Sequence, residues 1–353
     1  HPKEKEKLAK DADQRREEAE ELALTIGFNH FYSRSKDDTG LALVGTAQLL
    51  SKATKLKNKR LIESMRLHLN AWSADVNQNS LRWFGAHGRE IMAVSISANG
   101  MIALTGSGDQ TARLWETATG KPIGPPLQHQ HWVTAVALSA DGIIAITGSH
   151  DGTARLWDTT TGKPLGSALK HGTRVDAVAL SADGKIALTG NSGDRTAQLW
   201  DAATGNPIGP LLPHKMEVPV IALSANGKIA LTATWDKTAR LWEATTGKPI
   251  GHPLQHQQLV RAAALSADGK IALTGSWDKT ARLWETATGK PIGLPLEHQG
   301  EVFAVALSAD GKVAMTGSAD YTARLWQTAT AEPLGPPLLH QDSVYAVALS
   351  ADG

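Results

Sequence analysis

A block of about 42 residues, recurring six times from His87 onward, predicts a mainly β protein. The expected architecture is a β-propeller of four-stranded antiparallel blades, six complete plus a partial seventh, preceded by a small α-helical segment. Three features carry this prediction. The repeat-opening histidines, His87, His129, His171, His214, His256, His298 and His340, are spaced 42, 42, 43, 42, 42 and 42 residues apart. Each complete repeat closes its third apolar run with Trp and then Asp, Glu or Gln. No proline lies between Pro2 and Pro122, whereas prolines recur in every complete repeat after that.

The proline-free part reads as helix. Residues 3–26 are densely charged, with Lys7/Asp11 and Arg16/Glu20 one helical turn apart. Leu24, Phe28 and Phe31 add an apolar stripe. Thr39 to Ala53 reads as a second helix, capped by Asp38 or Thr39. Asn58 caps a third, with Leu61, Ile62, Met65, Leu69 and Trp72 on one face. Residues 1–78 are therefore expected as a helical linker or adapter, and 79–353 as the propeller. Between the second and third helices lie Lys52, Lys55, Lys57, Lys59 and Arg60. A solvated turn explains this cluster, and an acidic partner is the alternative.

The repeat from His129 to Leu169 shows how a blade forms. Val133 to Ser139 alternates small Ala135 and Ala137 with larger Val136 and Leu138, as expected of a strand buried on both faces. Ala140-Asp141-Gly142 turns the chain. Ile143 to Thr147 makes the second strand and Thr153 to Trp157 the third. Thr161-Gly162-Lys163-Pro164 turns into an outer strand near Leu165 to Leu169. Four such strands bury both faces only if blades stack on one another. The seventh repeat supplies one strand, Ser343 to Ser350, before the chain stops at Gly353. Ser80 to Phe84 is a candidate outer strand for that same blade. The chain starts at His1, and it reads as a fragment of a longer polypeptide.

Spacing, turns and the Trp-acid dipeptide together resemble the WD-repeat (WD40) β-propeller family across about residues 87–353. The dipeptide stands as Trp157-Asp158 and Trp200-Asp201, as Trp-Glu at Trp115, Trp242 and Trp284, and as Trp-Gln at Trp326. The resemblance implies a structural tetrad of His, Ser/Thr, Asp and Trp in each blade. Residue by residue it maps onto His129, Thr147, Asp151 and Trp157, and onto His171, Thr189, Asp194 and Trp200. The following blades supply His214, Thr232, Asp236 and Trp242, then His256, Thr274, Asp278 and Trp284, then His298, Thr316, Asp320 and Trp326. Asp accepts within a tight turn, His donates once and accepts once, Thr bridges and the indole N–H donates.

These groups resemble a catalytic triad in kind but not in arrangement. The same set recurs in every repeat, whereas catalysis needs one site with unequal environments. The chain is read as a non-enzyme with no cofactor and no metal. His129, His131 and His150 could gather on one face of the second blade, but no carboxylate or thiolate is placed to help them hold a metal. Lys and Arg number 36 against 35 Asp and Glu, a net charge of +1, so nothing favours nucleic acid or an anionic membrane. There is no cysteine, which accords with a reducing cytoplasm. No apolar run reaches the roughly 18 residues of a spanning helix.

Near-identical repeats make near-identical surfaces, so only the varying positions can select a partner. They lie three and five residues after the opening His, and just before the turn Asp. The resemblance implies that this rim binds partners. Trp235 and Trp277 occupy equivalent places in adjacent blades, with Leu259, Arg261 and Phe303 expected nearby. Trp132, Arg174 and Tyr345 complete the candidate set. The expected function is a non-catalytic scaffold or sensor that binds a protein or peptide on its top rim. Repeats rich in TGKPIGPPL behind a short helical segment are similar to bacterial signalling proteins with an upstream kinase or NTPase module. A central-channel enzyme or small-ligand binder is one alternative, and a purely architectural repeat is another.

Overall fold

The computed structural model describes residues 87–349. They belong to the second of two units, His87–Gly353. The expected helices, the basic cluster and the strand at Ser80 to Phe84 lie outside the described residues.

Six antiparallel sheets follow one another in chain order, each running in sequence from first strand to outer strand. In the first blade the strands are Ile91–Ile96, Ile102–Ser107, Thr111–Glu116 and Pro122–Gln128. In the second they are Val133–Leu138, Ile144–Ser149 and Thr153–Asp158, then two outer pieces, Lys163–Pro164 and Leu169–Lys170. The second strand therefore runs two residues past Thr147, and the outer strand is broken where Leu165 to Leu169 was expected to be continuous. The sixth blade is broken in the same way, into Glu332–Pro333 and Leu338–Leu339. The cause is legible. Continuous outer strands carry Ile123, Ile208, Ile250 or Ile292 paired to a Leu of the third strand. The broken ones carry Leu165 and Leu334 there. A β-branched residue favours the extended backbone more strongly than Leu.

Blades are joined at two levels. On the side of the turn between first and second strands, backbone hydrogen bonds step from each blade to the next. Ala98 N donates to Ala140 O at 3.0 Å, Ala140 to Ala182 at 2.9 Å, Ala182 to Ala225 at 2.9 Å, Asn226 to Ala267 at 3.2 Å and Ala267 to Ala309 at 3.1 Å. Between the sheets, the first strand of one blade packs on a glycine in the second strand of the blade before it. A Cβ on Gly148 would lie 2.8 Å from Val178 Cγ1 and 2.9 Å from Val175 Cγ1. Gly106 and Gly275 face valine pairs just as closely.

One seam departs from this rule. Ala233 stands where the other blades have glycine, and it is fully buried. The facing strand carries Ala263 in place of the second valine, and both alanines belong to one core cluster with Val260. The added methyl on one side is matched by the valine methyls missing on the other.

The seventh repeat corrects an expectation. Ser343 to Leu349 form no ladder, because no second strand pairs with them among the described residues. The segment still occupies a first strand's place. Val344 N donates to Ser318 O at 3.0 Å, and a Cβ on Gly317 would meet Val344 and Val347 at 2.7 and 2.9 Å.

The six tryptophans that close the third strands, one per blade, are buried. In the second blade His129 Nδ1 donates to Asp151 Oδ2 at 2.9 Å, and Nε2 accepts from Thr147 Oγ1 at 2.7 Å. Thr147 Oγ1 in turn accepts from Trp157 Nε1 at 2.8 Å. The chain His256, Asp278, Thr274 and Trp284 repeats this geometry, as do His298, Asp320, Thr316 and Trp326. The first blade has a full set as well, completed by Thr105, which bonds to His87 and Trp115 at 2.8 Å each. Burial opposes the Asp109 charge, but hydrogen bonds from Thr111, Gly88 and His87 outweigh it and hold the pKa down to about 2.

Two blades break the pattern. In the third, the extra residue that lengthens the repeat enlarges the turn. Asn191 takes the place of serine and its side chain bonds Asp194 N at 2.9 Å. His171 keeps Thr189 at 2.8 Å, while Asp194 Oδ2 accepts from Gly172 N at 3.1 Å rather than from the imidazole. In the fourth, Trp242 still donates to Thr232 at 2.8 Å, but both ring nitrogens of His214 are buried without a partner. Here Pro219 removes an N–H, and the first strand shrinks to Val220–Leu223. Asp236 is engaged instead by Thr234 and Thr238. Burial, then the Arg240 charge, push His214 down to about 4 from its ordinary 6.5, against the pull of Asp236.

These differences predict opposite outcomes for one substitution. His129→Phe strands Asp151 and Thr147 and should cost about 2 kcal/mol or more, as expected for hydrogen bonds to a charged group. His214→Phe loses no hydrogen bond and should be neutral or stabilising at neutral pH, by chemical denaturation. A histidine whose folded pKa lies below its unfolded value takes up protons mainly when unfolded, so its contribution weakens as pH falls from about 6.5 toward 4. His214→Phe should therefore flatten the loss of melting temperature over that window. At the exceptional seam, Ala263→Val should destabilise by about 1–3 kcal/mol through overpacking, and Ala233→Gly in the same chain should restore most of it.

Candidate functional site

The turn between second and third strands sets one rim of each blade. Its Asp lies within the tetrad, and the residue after it takes a left-handed backbone: Gln110, Gly152, Arg195, Lys237, Lys279 and Tyr321, with φ between 58° and 80°. The residue before the Asp meets the start of the first strand. Gly108 N donates to Glu90 O at 3.0 Å, His150 to Trp132 at 2.9 Å, Trp277 to Leu259 at 3.0 Å and Ala319 to Glu301 at 2.8 Å. The varying positions of a blade are thus bonded neighbours on this rim. The third and fourth blades show no such tie at Gly193 or Trp235, and in the fourth the preceding Thr234 N donates across its own turn to Thr238 O.

The structure brings some candidates together and keeps others apart. Trp235 and Trp277 are 38% and 44% exposed, far above the buried tryptophans of the tetrads. Among the described residues neither stacks on another ring. Leu259 is half-buried beside Trp277 and Arg261 is exposed. Phe303 stacks flat on exposed Tyr345, centroids 5.0 Å apart and planes 6° from parallel. Trp132 stacks on His150 at 5.7 Å, and His131 stacks on the same His150 at 5.7 Å. His129 is not with them; it is held in the tetrad. Arg174 Nε donates to Asp176, which also accepts from Ser192 N at 3.1 Å and faces His150 Nε2 at 3.5 Å.

Sequence reasoning missed two features here. One is the His131–Trp132–His150 stack backed by Asp176. The histidines were visible as neighbours of the rim positions, but they were grouped with His129. The other is a hollow of about 310 Å³ lined by Glu90, Ile91, Met92, Gly108 and Trp132. Its signal was the glycine before Asp109, where the second, fourth and fifth blades place His or Trp.

Burial, then the Arg174 and His131 charges, lower the His150 pKa, and Asp176 pulls it back upward. Among the described residues no group of three or more His, Cys, Asp or Glu could hold a metal ion. No described helix is long and apolar enough to cross a membrane. An NMR titration should place the His150 midpoint below that of an ordinary histidine. Arg174→Gln should raise it and Asp176→Asn should lower it further.

Comparison with known proteins gives a consistent result. The family model described as WD domain, G-beta repeat matches residues 78–116, 120–158, 162–201, 205–243, 247–285 and 289–327. Among solved structures, the chain is similar to the computationally designed Ika8 protein. The two are 28% identical over 74% of this chain and 78% of that one, with a TM-score of 0.66. No curated protein matches. Six matched repeats, six four-stranded sheets and a shared turn geometry place this chain in the WD40 repeat family.

Proposed function

We infer that this chain is a non-catalytic interaction scaffold that binds a protein or peptide on the rim carrying Trp235 and Trp277. WD40 repeats in general mediate protein–protein interaction. The observation that carries the reading is a contrast among chemically identical side chains. The tryptophans that recur in every blade are buried, whereas Trp132, Trp235 and Trp277, which occur at varying positions, are exposed on one rim. Large exposed aromatics with Arg174 and Arg261 nearby have the composition of interface hot spots. The Phe303–Tyr345 stack extends the aromatic surface into the seventh repeat.

In this reading Leu259 and Arg261 flank the Trp277 contact, and Arg174, held by Asp176, presents a cation beside Trp132. The repeats serve a cytoplasmic, bacterial-type signalling protein in which an upstream kinase or NTPase module is coupled to a sensor. Neither nucleic acid nor a membrane is the ligand, because the charge is nearly balanced.

The test is a peptide library selected against the chain, followed by Trp235→Ala with Trp277→Ala. The double variant should lose at least about tenfold in affinity for the selected peptides while keeping its melting temperature within a few degrees. Trp242→Ala should instead destabilise by about 3–5 kcal/mol, as buried aromatic truncation does. Unchanged peptide affinity, or a double variant as unstable as Trp242→Ala, rejects this rim as the binding surface.

A further inference from the structure

The hollow at the junction of the first and second blades differs in chemistry from the rest of the rim. Ile91 and Met92 form an apolar wall, the Trp132 indole forms an aromatic one, and Glu90 supplies the charge. A Cβ built on Gly108 would lie 3.6 Å from Glu90 Oε2, with the Arg89 side chain beside it at 3.5 and 3.7 Å, so the carboxylate lies close to the bare glycine. Among the described residues no hydrogen bond or ion pair engages that carboxylate. Trp132 is held from behind by its stack on His150, and its backbone N–H donates to His131 Nδ1 at 2.9 Å.

The equivalent place carries a large side chain in three other blades, while the sixth has Ala319 there. His150, Trp235 and Trp277 stand where the first blade has Gly108. The third blade has Gly193, but a Cβ there would overlap Thr173, so that space is closed. The first blade thus pairs an empty corner with a free carboxylate and an aromatic wall. An apolar hollow with a carboxylate in its lining suits a long aliphatic stem with a cationic head, and an indole wall adds a cation–π attraction. A volume of about 310 Å³ holds one such side chain.

We propose that this hollow is a subsite for one lysine or arginine side chain of an extended segment of the protein partner, with Glu90 pairing the head group and Trp132, Ile91 and Met92 lining the stem. This rests on the rim-binding reading above and adds to it a position and a charge.

The experiment uses the full chain and the tightest synthetic peptide from a random displayed library. Selected peptides should share a basic residue, and replacing it with norleucine should weaken binding about tenfold or more. Glu90→Gln, which preserves shape, should weaken the basic peptide by a similar factor and leave the norleucine peptide unaffected. Gly108→Trp, which copies the residue of the fourth and fifth blades, should exclude the basic side chain. Glu90 is exposed, and a Cβ on the buried Gly108 meets Arg89 and Glu90 only at ordinary contact distances, so both variants should melt with the parent chain. Equal affinity for the basic and norleucine peptides, or equal affinity of Glu90→Gln and the parent chain for the basic peptide, overturns the subsite. If those same peptides remain sensitive to loss of Trp235 and Trp277, the rim reading stands without it. A chain that selects no peptide overturns both.

Discussion

The structure depends on how one sheet meets the next. A four-stranded antiparallel sheet has two faces, and neither can stay wet when both are lined with Leu, Val and Ile. Here, at every described seam except that of Ala233 and Ala263, β-branched side chains at the first strand press onto a bare backbone position of the preceding blade. That contact removes the apolar surface from water and sets the spacing of the sheets. The complete tetrads act inside four of the blades, tying strands and turn together. Turn geometry then follows, and with it the positions of the side chains on the rim.

The division of labour between repeated and varying residues is visible in burial alone. Residues that recur in every blade lie inside or in tight turns, while those that change lie at the junction of the turn and the first strand. Regularity makes the disc and irregularity distinguishes its surface. The third and fourth blades are irregular inside as well. An added residue in one and Pro219 with Thr234 in the other loosen the polar network, while the Trp-to-Thr bond survives in both. The indole contact is thus the part of the network that tolerates most local change.

Much of the fold could be read from the chain because its signals are local and repeated. Strand starts, turn glycines and the buried tryptophans follow from alternation and spacing. Other features are relational. Nothing in repeat four by itself shows that His214 lacks partners; that follows from the shortened strand beside it. The broken outer strands turned on an Ile-to-Leu exchange that looks conservative when read by hydrophobicity alone. On the rim, exposure of Trp132, Trp235 and Trp277 matched their varying positions, but the companions did not follow from spacing. His131 and His150 stack with Trp132, whereas Trp235 and Trp277 stand apart from other rings. The Glu90 hollow arises from a side chain that is missing, which sequence patterns do not advertise.

The matched alanines at the fourth and fifth blades carry a consequence for how such a chain can diversify. Blades that look interchangeable are not, because each carries half of a lock whose other half is its neighbour. Moving the fifth unit behind any glycine-bearing blade would leave a void, and moving a valine-bearing unit behind the fourth would cause a collision. The placing of the fifth unit behind the fourth is therefore written into steric complementarity. Recombination within this array is constrained to exchanges that carry both halves of a lock together.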